Sequence, residues 1–254
     1  MTTGIRAMGD FCWSNMLTPE PLKAQKFYAG LFGWTYAEIP GMGHLIMVDG
    51  QNMGAMFDVN AMNTPPGTPP HIGVMVRVAS ADAMVDKVVS LGGQARPAFD
   101  IGTNGRMAVC FDPSGANFDV WQTIDKNGST ADTAKHGAPS WFECLTTDTA
   151  ACRKFYADLF GWKAEAMTMP GFEYTTFALG EARIAGLMAL TPDLGPKPFW
   201  NTVFTVDNAD QAADTTVKLG GTVTTPLHDI PGVGRSCGIR SPQGVSFFVI
   251  QYAR

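Results

Sequence analysis

Hydrophobic and polar positions change their spacing in a regular order along the chain. Residues 11–17 form a short apolar run, which is typical of a buried strand. After Pro19, apolar residues recur at helical spacing as far as Gly33, a residue type that commonly ends helices. Three strand candidates follow, at residues 35–39, 44–48 and 53–58. This stretch therefore predicts a strand–helix–strand–strand–strand module, written βαβββ.

The next part of the chain repeats the same order. Residues 72–78 read as a strand, Ser80 is a candidate helix N-cap, and Gly92 and Gly93 stop the helix. Three further strand candidates follow, at residues 94–99, 106–111 and 116–122. Because one module leaves a sheet face open, we expect modules to pair. Helices would cover one side of each pair, and a concave groove would form on the other.

The second half of the chain duplicates the first. The segment from Trp13 to Trp34 matches the segment from Trp141 to Trp162 at eleven of twenty-two positions, with an offset of 141 − 13 = 128. The glycine-rich motifs that follow also recur in the same order. We therefore predict an α+β fold in which four βαβββ modules pair into two half-barrel domains.

This duplication sets the predicted domain boundaries. The first domain is expected at residues 8–124 and the second at residues 139–253. Residues 125–138, which are rich in Gly, Ser, Thr and Ala, form the predicted linker.

Composition narrows the class of partner. Of 254 residues, 18 are basic and 23 are acidic, and the chain lacks the basic runs of a nucleic-acid-binding protein. No stretch approaches the ~20 apolar residues that cross a bilayer. The five cysteines form no CxxC pair, so we read them as reduced thiols of a cytoplasmic protein. We expect a small-molecule ligand, no nucleic-acid or membrane partner, and a monomer or homodimer.

Several motifs then carry a family resemblance. The segments KFYAGLFGW and KFYADLFGW are followed by VVSLGG and VKLGG, and then by FDPSGANFDVWQ and SPQGVSFFVIQ. This combination resembles the vicinal oxygen chelate superfamily, which includes glyoxalase I, bleomycin- and fosfomycin-resistance proteins and extradiol dioxygenases. It is similar in particular to the tandem two-domain bacterial members. The resemblance implies glyoxalase/bleomycin-resistance-like domains, but that fold hosts many reactions and also pure binders.

The resemblance also implies where a divalent metal would be held, on the first and last strands of the paired modules. The corresponding positions in the first half are Trp13, about Met56, Gly73 and Asp119. Those in the second half are Trp141, about Leu187, Asn201 and Phe248. Indole, thioether and phenyl groups are not ligands for the usual ions, so we expect the standard chelate site to be lost and no cofactor to be held. A site rebuilt from Asn15, His44 and Asp119, or from Glu143 and His228, is the alternative.

Strand alternation selects groove candidates. Trp13 shares a face with Asn15, and Trp141 shares a face with Glu143. If the tryptophans face the grooves, each groove has an aromatic floor and a polar group suited to a planar ligand. The alternative is that the tryptophans fill the grooves as core. Glu143 is predicted to be catalytic, because a carboxylate beside an indole can have a raised pKa and act as a general acid or base.

Asp119 and His44 complete the predicted catalytic set. Asp119 alternates with apolar neighbours, and a carboxylate on a groove face needs a partner or water. Arg106, one strand back, is a candidate partner. His44 has Tyr174 as its apparent counterpart in the second half, and both can donate to a ligand oxygen.

The remaining predictions concern binding. The predicted substrate-binding residues are Trp13, Asn15, Met56, Arg106, Trp141, Tyr174, Trp200 and Asn201. For Arg106 a structural role is also expected, since it recurs as Arg235 after a similar Asp-Ile motif. That recurrence favours pairing with Asp100 and Asp229.

Three functions fit these observations. The first is a lyase, isomerase or hydrolase-type enzyme that acts on a small aromatic or carbonyl metabolite without the standard metal. The second is a non-catalytic protein that sequesters a drug or metabolite. The third is a metal-dependent, glyoxalase-like lyase with relocated ligands.

Overall fold

A computed structural model describes residues 4–61, 64–124, 128–169, 171–192 and 194–253 of the chain. Residues 125–127 of the predicted linker lie outside the described residues. The described part contains four helices and two large sheets, so the α+β class and the four βαβββ modules are confirmed.

The first half of the chain holds two modules. The elements of the first module are β1 (Phe11–Thr18), α1 (Pro21–Phe32), β2 (Thr35–Ile39), β3 (Gly43–Val48) and β4 (Gln51–Asp58). Those of the second are β5 (His71–Arg77), α2 (Ala81–Ser90), β6 (Gln94–Ala95), β7 (Phe99–Ile101), β8 (Gly105–Phe111) and β9 (Asn117–Thr123). The strand predicted at residues 94–99 is divided into β6 and β7, because Pro97 lies between them and has no N–H for the ladder.

The second half repeats this order. The third module consists of β10 (Pro139–Thr146), α3 (Thr149–Phe160), β11 (Lys163–Met169), β12 (Phe172–Leu179) and β13 (Ala182–Ala189). The fourth consists of β14 (Phe199–Thr205), α4 (Ala209–Lys218), β15 (Thr222–Ile230), β16 (Gly234–Arg240) and β17 (Ser246–Tyr252).

The predicted helix ends are observed. Gly33 follows α1 with a φ of 69°, and its N–H donates to the carbonyl of Ala29. Glycine adopts this left-handed conformation without a steric penalty, which explains why the helix ends there. At the start of α2, the Ser80 hydroxyl accepts a hydrogen bond from the N–H of Ala83, as expected of an N-cap.

Each sheet joins two modules through their first strands. In the first sheet the order is β2-β3-β4-β1-β5-β9-β8-β6, and β7 also pairs with β8. The second sheet has the order β11-β12-β13-β10-β14-β17-β16-β15. The central pairs β1–β5 and β10–β14 are antiparallel, and each is flanked by parallel pairs. The first and last strands of the modules therefore lie at the centre of each half-barrel.

The helix-side cores pair the modules differently from the sheets. One core combines Phe27 and Tyr28 of the first module with Phe204 and Phe247 of the fourth. The other combines Phe118 of the second module with residues of α3 and β10 in the third. Each core thus draws on both halves of the chain. The two sheets also meet directly, through β5 and β14.

Indole hydrogen bonds join the halves at two matching places. Trp34 Nε1 donates to the Gly137 carbonyl at 2.8 Å, and Trp162 Nε1 donates to the Gly9 carbonyl at 2.7 Å. These tryptophans end the duplicated LFGW motifs. The tryptophans of this motif therefore pack the two halves together and lie outside both grooves. Over the described residues, the helices are too short and too polar for any of them to cross a membrane.

Candidate functional site

Alternation along the central strands separates a helix side from a groove side in the first sheet. On β5, Val74 and Val76 belong to the helix-side core, so His71 and Gly73 face the other way. On β9, Phe118 belongs to the same core, and Asp119 therefore also faces the groove. We call this face of the first sheet the first groove. Trp13, Met75, Met107 and Trp121 pack together along it.

The amide of Asn15 is held by its own sheet. Its Oδ1 atom accepts a hydrogen bond from the N–H of Ala55 at 3.0 Å, and its Nδ2 atom lies 3.0 Å from the sulfur of Met75. Both ends of the side chain are therefore occupied. Asn15 shapes the groove floor, and its amide keeps one N–H and one oxygen lone pair for other partners.

Asp119 and His71 approach each other over Gly73. A Cβ atom on Gly73 would lie 3.7 Å from His71 Nε2 and 3.8 Å from Asp119 Oδ2. The missing side chain therefore leaves a space that both groups border. Asp119 Oδ1 is buried and has no hydrogen-bond partner among the described residues. A buried polar atom without a partner is costly, and a ligand group or water in this space would satisfy it.

Burial sets the protonation of this pair. It raises the pKa of Asp119 to about 7, and the nearby Asn117 amide opposes the change only partly. Burial also lowers the pKa of His71, against a smaller opposing effect of the Pro69 carbonyl. His71 Nδ1 lies 2.8 Å from that carbonyl, which only accepts. Nδ1 therefore carries the proton, and in the neutral ring Nε2 is an acceptor that faces the space over Gly73.

The second groove, the matching face of the second sheet, holds a different polar chain. Trp141 Nε1 donates to the hydroxyl of Tyr174 at 2.9 Å, and that hydroxyl donates to Glu143 Oε1 at 2.7 Å. This series of hydrogen bonds needs a glycine at position 186, since a Cβ atom there would lie 1.9 Å from the Tyr174 oxygen. Trp141, Tyr174 and Glu143 therefore form one connected unit.

Asn201 lies opposite Glu143 in the β10–β14 ladder. Burial raises the pKa of Glu143, while hydrogen bonding by Tyr174 and the nearness of the Asn201 amide oppose the rise. Asn201 Nδ2 is itself buried and makes no hydrogen bond of ordinary geometry to the described residues. The second groove thus offers an unused donor beside a carboxyl whose Oε1 atom is already engaged.

Two predicted binding residues lie on the wrong face. Met56 is fully buried in the helix-side core, because it pairs with Met16 in the parallel β1–β4 ladder and shares its orientation. Trp200 is buried in the other helix-side core, where its Nε1 atom donates to the hydroxyl of Tyr156. Neither side chain lines a groove, so the structure gives no support to the prediction that Met56 and Trp200 bind substrate. The groove-facing neighbour of Met56 is Ala55.

His44 is also misplaced by the prediction. Thr35 pairs with Met47 and Lys163 pairs with Ala178, so the offset between halves rises from 163 − 35 = 128 to 178 − 47 = 131 across this hairpin. The counterpart of His44 in the second half is therefore residue 175, and the residue equivalent to Tyr174 in the first half is not a histidine. On β3, His44 shares a face with Ile46 of the helix-side core, so the proposed catalytic role is not supported.

Arg106 lies on the outer surface and makes no contact with Asp119. Its Nε and Nη2 atoms donate to the two carboxylate oxygens of Asp82 at 2.8 and 2.9 Å, and Nη1 donates to Asp100 at 2.9 Å. Arg235 makes the same set of bonds to Asp210 and Asp229. The structural pairing with Asp100 and Asp229 is observed, and the placement of Arg106 outside the groove gives no support to the predicted substrate-binding role.

Sequence reasoning missed His71 as a site residue. It stands two positions before Gly73, which the family resemblance had already placed on the groove face. Residues two apart on a strand share a face, so the same alternation rule could have selected it.

The groove residues do not fit the metal centre that the resemblance implies. Four residues occupy the central positions of the first groove: Asn15, Ala55, Gly73 and Asp119. The Asn15 amide already makes contacts at both ends, Ala55 has no metal-binding atom in its side chain, and Gly73 has no side chain. His71 adds one imidazole nitrogen. Among the described residues, no group of three or more His, Cys, Asp or Glu side chains is arranged to hold a metal ion. Nor do Asn15, His44 and Asp119 form a relocated set, because His44 faces the helices.

Comparisons with known proteins agree with this architecture. Residues 139–248 match the model of the Glyoxalase/Bleomycin resistance protein/Dioxygenase superfamily, and residues 13–121 match that of the Glyoxalase-like domain. The chain is 36% identical over 247 residues to the protein named "Putative glyoxylase CFP32" of Mycobacterium tuberculosis (strain CDC 1551 / Oshkosh), which covers 95% of this chain and 94% of that protein. It is 30% identical over 261 residues to "Anthracycline biosynthesis protein DnrV" of Streptomyces peucetius, over 96% of this chain and 94% of that protein.

Solved structures share the fold at low sequence identity. The halotolerant catechol dioxygenase BphC superposes with a TM-score of 0.66 at 12% identity, over 96% of this chain and 87% of that one. The Mn(II)-bound glyoxalase from Novosphingobium aromaticivorans gives a TM-score of 0.66 at 14% identity, over 99% and 85% of the two chains. With matches to both halves and relatives along its whole length, the chain belongs to the Glyoxalase/Bleomycin resistance protein/Dioxygenase superfamily.

Proposed function

We propose that this protein binds a small aromatic or carbonyl metabolite in the first groove and acts on it as a lyase or isomerase by proton transfer, without the family's metal. The observation that carries the proposal is the geometry at Gly73. A carboxyl with a pKa of about 7 and an unpartnered oxygen lies there beside an imidazole acceptor. A general acid or base works best when its pKa is close to the operating pH.

The proposed chemistry needs no external reagent. Ionised Asp119 takes a proton from a carbon or hydroxyl next to the ligand's carbonyl group, and protonated Asp119 returns it to a neighbouring atom. His71 Nε2 accepts a hydrogen bond from the substrate and orients it. In an isomerisation the proton taken from one atom is returned to another. In an elimination the bond from the adjacent carbon to its oxygen substituent breaks, and the departing oxygen takes the proton from Asp119, so neither reaction needs an oxidant or a reductant.

The lining supports an aromatic or carbonyl ligand. Trp13 and Met107 are half-buried on the groove face, where they offer flat and polarisable contact surface. Two relatives take their names from anthracycline biosynthesis, and anthracyclines contain planar aromatic rings. These observations favour a planar ligand that lies against indole.

The experiment separates an enzyme from a binder. Wild-type protein is incubated with cell extract, and retained ligands are identified by mass. Asp119→Asn keeps the size of the side chain but removes its acid–base capacity, so it should retain the ligand and lose conversion. His44→Gln and Arg106→Gln are matched controls that should behave as wild type. A bell-shaped or sigmoidal rate profile with an apparent pKa near 7 is expected for wild type and for both controls, but not for Asp119→Asn.

Two outcomes would contradict the proposal. Unchanged conversion by Asp119→Asn would exclude its acid–base role. Near-stoichiometric divalent metal in the purified protein that disappears in both Asp119→Asn and His71→Gln would favour a metal-dependent lyase with relocated ligands.

A sequestering protein is the second candidate, and the second groove favours it. Glu143 Oε1 is engaged by Tyr174, while the unused Asn201 donor and the half-buried Phe248 suit binding without chemistry. If the captured compound is recovered unchanged from wild type, and if Asn201→Ala reduces capture more than Asp119→Asn does, this function replaces the first.

We also propose that the protein works in the cytoplasm. All five cysteines are buried and unpaired, as expected for a chain that folds under reducing conditions. A requirement for oxidising conditions during refolding would contradict this.

A further inference from the structure

A cavity of about 280 Å³ lies between the two domains, and its lining includes Trp13 and Trp141 from the ends of the two grooves. It is formed where β1 and β10 begin and where the linker passes between them. Its walls include Phe11 and Phe142, whose rings stack at a centroid distance of 4.1 Å. At the lower end of the size range of ligand pockets, this volume suits a molecule with one ring.

The charged groups of the cavity are two arginines and one acid. Arg6 is 4% exposed, and its guanidinium donates to the carbonyls of Ala131 and Gly4. Those bonds use two of its five N–H groups. Arg183 lies at the rim with a side chain that is 61% exposed, and the nearest carboxylate, Glu165, is 3.9 Å away. That distance is too long for a hydrogen bond, so the Arg183 donors are available.

Two further side chains point to a polar, substituted ring. Ser129 is 3% exposed, and its hydroxyl has no hydrogen-bond partner among the described residues. Asp10 accepts from the N–H of Phe11 through Oδ1, which leaves its second oxygen for another donor. An unpartnered buried hydroxyl costs stability unless something in the cavity satisfies it.

We propose that this interdomain cavity binds a small aromatic carboxylate that carries a hydroxyl group. The carboxylate is directed to Arg6 and Arg183, which present planar donor groups suited to it. The ring lies against the aromatic wall, and the hydroxyl bonds to Ser129 or Asp10. The cavity is then a second ligand site whose occupancy also joins β1, β10 and the linker.

The probe is 4-hydroxybenzoate, compared with neutral 4-hydroxybenzamide of nearly the same shape. Calorimetry and ligand-observed NMR on the full chain should show saturable one-to-one binding of the acid, with a Kd at or below about 1 mM. The amide should bind roughly tenfold more weakly, because it lacks the charge that the arginines recognise.

Variants assign the binding to the cavity. Arg183→Gln and Ser129→Ala should each weaken binding of the acid by about threefold to tenfold. Arg240→Gln, which changes an exposed arginine outside the cavity, should leave the Kd unchanged, and so should the groove variant Asp119→Asn. Arg183 and Arg240 are both exposed, so neither variant should disturb folding.

Several results would overturn the inference. Equal affinity for the acid and the amide would remove the role of the arginines. Absence of binding at about ten times the expected Kd would remove the site. Loss of binding in Asp119→Asn but not in Arg183→Gln would move the probe into the first groove. None of these results bears on proton transfer by Asp119, so the two proposals stand or fall separately.

Discussion

Tyr156 in the second domain donates a hydrogen bond from its hydroxyl to Oδ2 of Asp112 in the first domain, over 3.0 Å. Both side chains are buried. The same carboxylate oxygen is approached by the thiols of Cys144 at 3.6 Å and Cys152 at 3.4 Å. Its Oδ1 atom accepts three hydrogen bonds within its own loop, from the N–H and the hydroxyl of Ser114 and from the N–H of Ala116. One carboxylate therefore organises a loop of the first domain and fixes it to α3 and β10 of the second.

Asp112→Ala should destabilise the protein strongly. It leaves the Tyr156 hydroxyl and the Ala116 N–H without their acceptor, so we expect a loss of about 3 kcal/mol in the free energy of unfolding. Urea denaturation measures it. Ser241 occupies the matching loop, where its uncharged hydroxyl accepts from the N–H of Val245, so Ser241→Ala should cost about 1 kcal/mol. Equal losses for the two variants would contradict the interdomain role of Asp112.

Asp119 should make stability fall as pH rises. Its pKa is raised from 3.8 to about 7, so between these values the folded protein binds a proton that the unfolded chain has released. The stabilisation of the protonated form is complete below pH 4 and is lost as pH rises through 7. Asp119→Asn should therefore be more stable than wild type by about 2 kcal/mol at pH 8, and similar to it at pH 4. Denaturation at both pH values tests this, and a variant that is less stable at pH 8 would contradict it.

Substitutions at two groove glycines should have different effects, one on stability and the other on ligand capture. Gly186→Ala places a methyl group 1.9 Å from the present position of the Tyr174 oxygen, which should cost about 2 kcal/mol and break the chain from Trp141 to Glu143. Gly73→Ala meets its neighbours only at 3.7 Å or more, so stability should stay within about 0.5 kcal/mol of wild type. The Gly73→Ala methyl group nevertheless fills the space between His71 and Asp119, and ligand capture should fall.

A double variant checks the cause of the first effect. In Tyr174→Ala/Gly186→Ala the obstructing ring is absent, so the glycine substitution should add little to the cost of Tyr174→Ala alone. A full additive cost would show that the Tyr174 ring is not what requires glycine at position 186.

The two histidines provide a direct test of the corrected strand register. His71→Gln should reduce conversion of the captured metabolite, because it changes the acceptor beside Asp119. His44→Gln should leave conversion unchanged, since His44 faces the helices. Turnover of the identified ligand measures both effects. Loss of conversion in His44→Gln but not in His71→Gln would instead support the sequence-based alignment that placed His44 in the groove.

Local patterns predicted much of this molecule. The alternation of Phe118, Asp119 and Val120 placed the carboxylate on the groove side, and the recurrence of Arg106 and Arg235 predicted their acidic partners. Each of these rests on spacing within a few residues of the chain. The same holds for Gly33 and Ser80 at the helix ends.

Predictions that needed register or long-range contacts failed. Three extra residues in the hairpin between β11 and β12 shift the correspondence of His44, and a shift by one residue turns a strand position to the other face. Trp200 looked like a groove aromatic because its partner Tyr156 is 44 residues away in the sequence. The meeting of Asp112 with two thiols of the other domain is likewise invisible to periodicity.

The crossed pairing of helices and sheets has a consequence for how the chain can be divided. A fragment that ends in the linker would hold one complete sheet but only one side of each core, with Phe27, Tyr28 and Phe118 uncovered. Either fragment alone should aggregate or self-associate, whereas the two expressed together should reassemble. Because both halves belong to one polypeptide, each core always joins two unlike halves in a one-to-one ratio, and the two grooves can differ in their residues within one molecule.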